Sequence, residues 1–95
     1  MSHAIKVRLP NRFDFNYHQT FSQECNSLLN DQACQSVELD FSQVQYLDSS
    51  ALGMLVLLAK KNKGQGNKTL IIQGAQNTAK EILEMANLNK LYEFR

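Results

Sequence analysis

The segment 46–55 carries the side chains of this protein that are best suited to chemistry. It places a carboxylate and two hydroxyls, Asp48, Ser49 and Ser50, between a strand-like run and a strongly apolar run. Residues of these types favour the start of a helix, where backbone N–H groups lack intrahelical partners and the peptide dipoles add positive charge. A serine at such a position can cap the helix, act as a nucleophile, or carry a phosphate that the helix end stabilises.

Nucleophilic catalysis by either serine would need a general base and a third group that orients it. His3 lies at the N-terminus, His18 is predicted on the outer side of a helix, and no G-x-S-x-G motif surrounds the serines. Asp40 and Asp48 are separated by an extended stretch, so they do not predict a carboxylate pair either. We therefore expect no catalytic residues and no enzymatic activity.

Composition sets further limits on the class of protein. Ninety-five residues predict one domain, 1–95, and the net charge of +1 gives no reason to expect nucleic-acid binding. The longest apolar run, 51–59, is far shorter than the roughly 20 residues that cross a bilayer, and no signal-like core precedes it. Cys25 and Cys34 lack metal-ligand spacing, so we expect reduced structural thiols, no metal, no cofactor and a cytoplasmic location.

Hydrophobic periodicity predicts an α/β domain with β-α-β-α-β-α-β order. Residues 5–9, 37–41 and 69–73 alternate as strands with one covered face, and 91–94 can add a fourth strand. Helical spacing covers about 16–30, 51–62 and a segment from Asn77 onward; Gly64 is placed to end the second helix, and Thr78 with Glu81 fits a capping box. We expect a mixed sheet of about four strands with three helices mainly on one face.

The run VELDFSQVQYLDSSALG, residues 37–53, resembles the signature of STAS domains, the anti-sigma-factor antagonists and their relatives. That signature is roughly L-D-[FL]-S-x-V-x-[FY]-[ILM]-D-S-S-G-L-G. The similarity continues through 68–73 and 82–88, and Arg12-Phe13-Asp14 resembles the G-R-L-D that leads into the family's first helix. Ala51 departs from the pattern, because glycine is usual there.

The resemblance implies a protein switch in signal transduction and the regulation of transcription. By position, Ser50 would be phosphorylated by an anti-sigma-type serine kinase, and a metal-dependent serine phosphatase would reverse the modification. The unphosphorylated form would bind the kinase or another target, and phosphorylation would block that binding. The remaining expectations are a monomer, a motif and cap formed by Asp48, Ser49 and Gly53 with Ser49 capping the helix, and partner contacts from Ser50, Ala51 and Met54.

Two other readings remain open at this point. One is a constitutive STAS subunit that docks on a larger assembly, such as a lipid-transport ABC complex. The other is a sensor domain that binds a small molecule or nucleotide. Neither reading requires a phosphorylated serine.

Overall fold

The computed structural model describes residues 3–95. Within them the strands are β1 Ala4–Arg8, β2 Arg12–Phe13, β3 Ser36–Asp40, β4 Tyr46–Leu47, β5 Thr69–Gln73 and β6 Glu93–Phe94. The α-helices are α1 His18–Leu29, α2 Ser49–Lys61 and α3 Asn77–Met85, and short helical turns cover Phe15–Tyr17, Asn62–Gly66 and Leu88–Lys90. The three longer strands and the three helices agree with the periodicity of the sequence to within a few residues.

The main sheet has the strand order β1-β3-β5-β6, and each of its pairings is parallel. A helix joins each strand to the next, and a right-handed crossover carries the chain one strand further over the same face. Successive crossovers therefore place the helices on one side, as expected. The expectation of a mixed sheet is wrong, because β6 also follows a helical crossover and runs parallel to β5.

One face of this sheet forms the core. Val7, Leu39 and Ile72 align across the first three strands, and they are buried together with residues from all three helices. On the opposite face Glu38 aligns with Ile71, which is buried but lies outside that core cluster. The alternation of the strands therefore reports that the helices cover one face of the sheet, although Ile71 is buried on the other.

Helix α1 follows a short helical turn that Asp14 initiates. The Asp14 carboxylate accepts a hydrogen bond of 3.0 Å from the backbone N–H of Asn16. Phe21, Cys25 and Leu29 then recur every four residues and form the buried stripe of α1. These residues hold α1 against the sheet and beside α2.

Helix α2 does not end at Gly64 as expected. The chain continues through a π-helical turn, Asn62–Gly66, and leaves it at Asn67 in the left-handed region, with φ 50°. The buried side chain of Asn62 donates to the backbone carbonyl of Lys68 at 2.8 Å and accepts from its N–H at 2.7 Å. This side-chain clasp, formed across six residues, replaces the glycine cap that the local sequence suggested.

Helix α3 begins at Asn77 without the predicted capping box. Gln76 flanks the helix with an extended backbone and makes no side-chain cap hydrogen bond, and Asn77 has a φ of 51°. Thr78 and Glu81 therefore lie inside the helix instead of bracketing its start. No helix within residues 3–95 is long and apolar enough to cross a membrane.

Candidate functional site

The start of helix α2 is positioned by two short strands that periodicity did not predict. Arg12 pairs with Tyr46 and Phe13 with Leu47, in parallel register. Phe13 and Leu47 are buried, and the Phe13 ring also packs against aromatic rings of α1 and of the loop after β3. Because both strands are anchored in the core, the turn that follows at Asp48 has a fixed position.

Asp48 is the residue that caps α2. Its backbone is extended, with φ −116° and ψ −177°, and its Oδ1 accepts a hydrogen bond of 2.9 Å from the N–H of Ala51. The expectation that Ser49 caps the helix is therefore wrong. Aspartate serves this position well, because its negative charge also interacts favourably with the positive end of the helix dipole.

Both serines instead lie in the first turn of α2. Ser49 is the first helical residue and is exposed, and Ser50 follows it and is half-buried. Their own N–H groups come before the first intrahelical hydrogen bond, which Leu52 donates to the carbonyl of Asp48 at 3.2 Å. The helix end thus presents two hydroxyls that the cap does not use.

The positions after the serines divide between core and surface. Ala51 is 0% exposed and packs in the core, so its side chain is inaccessible to a partner, contrary to expectation. Gly53 is exposed, and a Cβ added there would have no atom within 4 Å. Met54 is half-buried, packs against the core and lines a groove between α1 and α2. Gly53 and Met54 therefore border the serines, whereas Ala51 supports them from below.

Arg12 brings a positive charge to the strand pair that leads into α2. Its Nε lies 2.7 Å from Oδ2 of Asp14, and its guanidinium carbon lies 4.4 Å from the centre of the Tyr46 ring. The hydrogen bond between Arg12 and Asp14 raises the pKa of Arg12 and lowers the pKa of Asp14. The negative charge of Asp48 also raises the pKa of Arg12. The sequence showed the R-x-D spacing but gave no sign of the stacking on Tyr46.

The two histidines make none of the contacts described above for the start of α2. His18 stacks on the Phe15 ring with 4.3 Å between ring centres, and its Nδ1 lies 2.7 Å from the Phe15 carbonyl oxygen. His3 is an exposed residue just before β1. In the described part of the chain no three histidine, cysteine or acidic side chains are grouped so that they could hold a metal ion.

The Asp40 carboxylate and the two cysteine thiols have environments that fit a structural role. The Asp40 carboxylate accepts a 2.9 Å hydrogen bond from the N–H of Ser42, which lowers the pKa of Asp40. Cys25 and Cys34 are both buried and unbridged, as expected for structural thiols. Burial raises the pKa of Cys25 to about 12, so little of it is present as the reactive thiolate near neutral pH.

Comparison with known proteins agrees with this architecture. The family model described as "Mlab, STAS domain" matches residues 1–93. A STAS-domain containing protein of Pseudomonas aeruginosa (strain UCBPP-PA14) is 29% identical over 89 residues, which covers 94% of this chain and 85% of the relative.

Solved structures share the fold at low sequence identity. A protein from Thermotoga maritima described as a candidate anti-sigma factor antagonist gives a TM-score of 0.79 at 18% identity, over 96% of this chain and 77% of its own. A sulfate transporter family protein from Wolinella succinogenes gives 0.79 at 14%, over 96% and 75%. The phosphorylated Bacillus cell fate determinant SpoIIAA gives 0.73 at 13%, over 100% and 85%. The family match over almost the whole chain shows that this protein is a member of the STAS domain family.

Proposed function

We propose that this STAS domain is a protein-binding switch that is controlled by phosphorylation of Ser50. The observation that carries the proposal is the division of labour at the start of α2: the Asp48 carboxylate forms the cap, so neither serine hydroxyl is needed for it. The similarity to a protein described in a phosphorylated form supports the same reading. The domain would act as a regulatory protein in the cytoplasm, as a monomer, without catalysis of its own.

The choice of Ser50 over Ser49 rests on the motif, in which the second serine is the modified one. Residues three and four apart on a helix are neighbours, so Ser50 lies beside Gly53 and Met54 on the surface of α2. Ser49 is the more exposed of the two serines and offers a matched control at the adjacent position.

A phosphate on Ser50 would alter binding far more than folding. Phosphorylation adds about −1.5 to −2 charges. The helix dipole favours this charge by roughly 0.3–1 kcal/mol, whereas the nearby Asp48 carboxylate opposes it. In a docked interface an unpaired dianion would cost several kcal/mol, and each 1.4 kcal/mol weakens binding about tenfold. The modification would therefore block a partner locally, by charge and by size.

The partners in this proposal are a serine kinase of the anti-sigma type, a metal-dependent serine phosphatase and the target that the unmodified form binds. The kinase needs access to the start of α2. Because Ser50 is half-buried, we expect kinase binding to unwind or displace part of the first turn of α2. Asp48 is the group that resists such a displacement, since it holds that turn through the N–H of Ala51.

A constitutive docking subunit is the second candidate. The matching family model carries the description "Mlab", and one neighbour with the same fold belongs to the sulfate transporter family. The partial burial of Ser50 also makes it a less open substrate than Ser49. In this case the same surface of α2 would bind a larger assembly permanently, and the serines would serve only as helix residues.

Mass spectrometry of the protein isolated from its native host separates the two candidates. The switch predicts a fraction that carries one phosphate, mapped to Ser50, and the loss of this fraction in Ser50→Ala but not in Ser49→Ala. A permanent docking subunit predicts an unmodified protein that copurifies with its assembly in every growth condition. Phosphate on Ser49 would refute the assignment of the site.

A further inference from the structure

The groove between α1 and α2 combines an apolar wall on the α2 side with a positively charged end. It is small, with a volume of about 30 Å³ that a water molecule can reach, and its floor is formed by buried residues of both helices. Ser22 and Asn26 line it on the α1 side, and Met54, Leu57 and Lys61 line it on the α2 side. These five residues define the α1–α2 groove.

Leu57 is the clearest sign that this groove is a binding surface. It is 50% exposed, although it lies on a helix whose other large apolar residues are buried or packed against the core. Gly53, one turn earlier, has no side chain and open space around it, so another backbone can approach α2 closely there. The exposed side of α2 therefore offers an apolar anchor beside a flat segment.

Helix α2 and the segment that follows it, up to residue 68, carry charge of one sign. Residues 49–68 contain Lys60, Lys61, Lys63 and Lys68 and no carboxylate. Within residues 3–95 none of these four lysines forms an ion pair with an acidic side chain. Lys68 is held elsewhere, because its Nζ donates to the backbone carbonyl of Asp31 at 2.8 Å. Favourable interaction with the helix dipole explains a lysine in the last turn of α2, but within residues 3–95 neither Lys60 nor Lys61 has an acidic partner.

We propose that the α1–α2 groove binds an acidic amphipathic helix of the partner protein. The partner's leucine-like side chains would pack on Met54 and Leu57, and its carboxylates would meet Lys60 and Lys61. The proposal rests on the proposed function, because it specifies the part of the partner whose docking Ser50 would control. A concave groove with neutral polar residues on one wall suits a helix better than a lipid surface, which would need a broader exposed apolar face.

Nuclear magnetic resonance titration of the whole protein provides the test. The probe is a synthetic peptide of about 18 residues, roughly five helical turns, with leucines along one face and glutamates beside them. We expect saturable shifts of backbone signals that are confined to the groove. The double variant Lys60→Glu with Lys61→Glu should bind the peptide at least about tenfold more weakly. A peptide with lysines in place of the glutamates should bind this variant again. Lys80→Glu with Lys90→Glu gives the same net charge on another surface and should leave binding unchanged.

Three outcomes would overturn the inference: no saturable shifts, shifts located outside the groove, or equal binding of the acidic and basic peptides. The protein could instead bind vesicles of equal parts phosphatidylcholine and phosphatidylglycerol more strongly than it binds the acidic peptide. If this vesicle binding were lost in the Lys60/Lys61 variant, the groove would be assigned to a membrane. Ser50→Asp separates the two proposals. If Ser50→Asp leaves peptide binding intact and the Lys60/Lys61 variant abolishes it, the groove proposal stands and the control by phosphorylation is refuted. If Ser50→Asp abolishes peptide binding and the Lys60/Lys61 variant leaves it intact, only the groove proposal is refuted.

Discussion

Replacing Asp48 by alanine should destabilise the domain, whereas replacing Ser49 should not. The change removes the 2.9 Å hydrogen bond to the N–H of Ala51 and the negative charge at the start of α2. Loss of an N-cap costs about 0.5–2 kcal/mol, and loss of the charge–dipole interaction accounts for roughly 0.3–1 kcal/mol. We expect a decrease of about 1–2 kcal/mol in the free energy of unfolding. A loss of about 1.5 kcal/mol lowers the Tm of a domain of this size by roughly 6–12 °C.

Urea unfolding followed by circular dichroism measures this difference directly. Asp48→Asn keeps a side-chain oxygen at the cap and should lose only the charge contribution, which high salt also screens. Ser49→Ala and Ser50→Ala should each change the stability by less than about 0.5 kcal/mol. If Ser49→Ala is as destabilising as Asp48→Ala, the hydroxyl of Ser49 contributes to the cap and the argument that both serines are free is wrong.

The other predictions test groups that hold α2 and the core in place. Tyr92→Phe removes the buried 2.6 Å hydrogen bond from its hydroxyl to the Leu55 carbonyl and should cost about 0.5–1.5 kcal/mol in urea unfolding; no measurable loss would mean that this bond contributes nothing. Gly66→Ala should cost about 1–3 kcal/mol, because the new methyl would lie 3.0 Å from the carbonyl oxygen of Leu29, whereas Gly64→Ala has open space and should not destabilise; equal effects of the two would contradict this. Burial raises the pKa of Cys25 above its unfolded value, so its contribution to stability is complete below about pH 9 and is lost as the pH rises toward 12. A thiol reagent at pH 8 should therefore label Cys25 only after unfolding, and rapid labelling of the native protein would show that the thiol is accessible.

The sequence predicted the parts of the fold that depend on periodicity. Three strands alternate because the helices cover one face of the sheet, and α1 buries residues four apart. It also selected the helix start at 48–50 as the candidate functional site, which stays a prediction. The identity of the cap was not predictable, because Asp48, Ser49 and Ser50 are all good N-cap residues and only the backbone conformation selects one of them.

The features that the sequence did not predict depend on non-local contacts or on very short elements. Strands β2 and β4 have two residues each, which is too few for a period, yet their pairing places Arg12 on Tyr46 beside the site. The end of α2 depends on the side chain of Asn62 reaching the backbone of Lys68, six residues away. The glycine rule and the capping box are local rules, and both failed where such contacts or a positive φ determined the structure.

Control of binding by phosphorylation of Ser50 is tested by comparing partner binding between defined phosphorylation states of the intact protein. Three forms of the protein are prepared: unmodified, with phosphoserine at position 50, and with phosphoserine at position 49. Each form is immobilised on a resin and incubated with a lysate of the native host. If the domain is a switch, the unmodified form retains a target protein. Phosphorylation of Ser50 should weaken the binding of that target at least about tenfold, and phosphorylation of Ser49 should weaken it less. Equal retention of that target by the unmodified and Ser50-phosphorylated forms would contradict the switch and favour a permanent docking subunit.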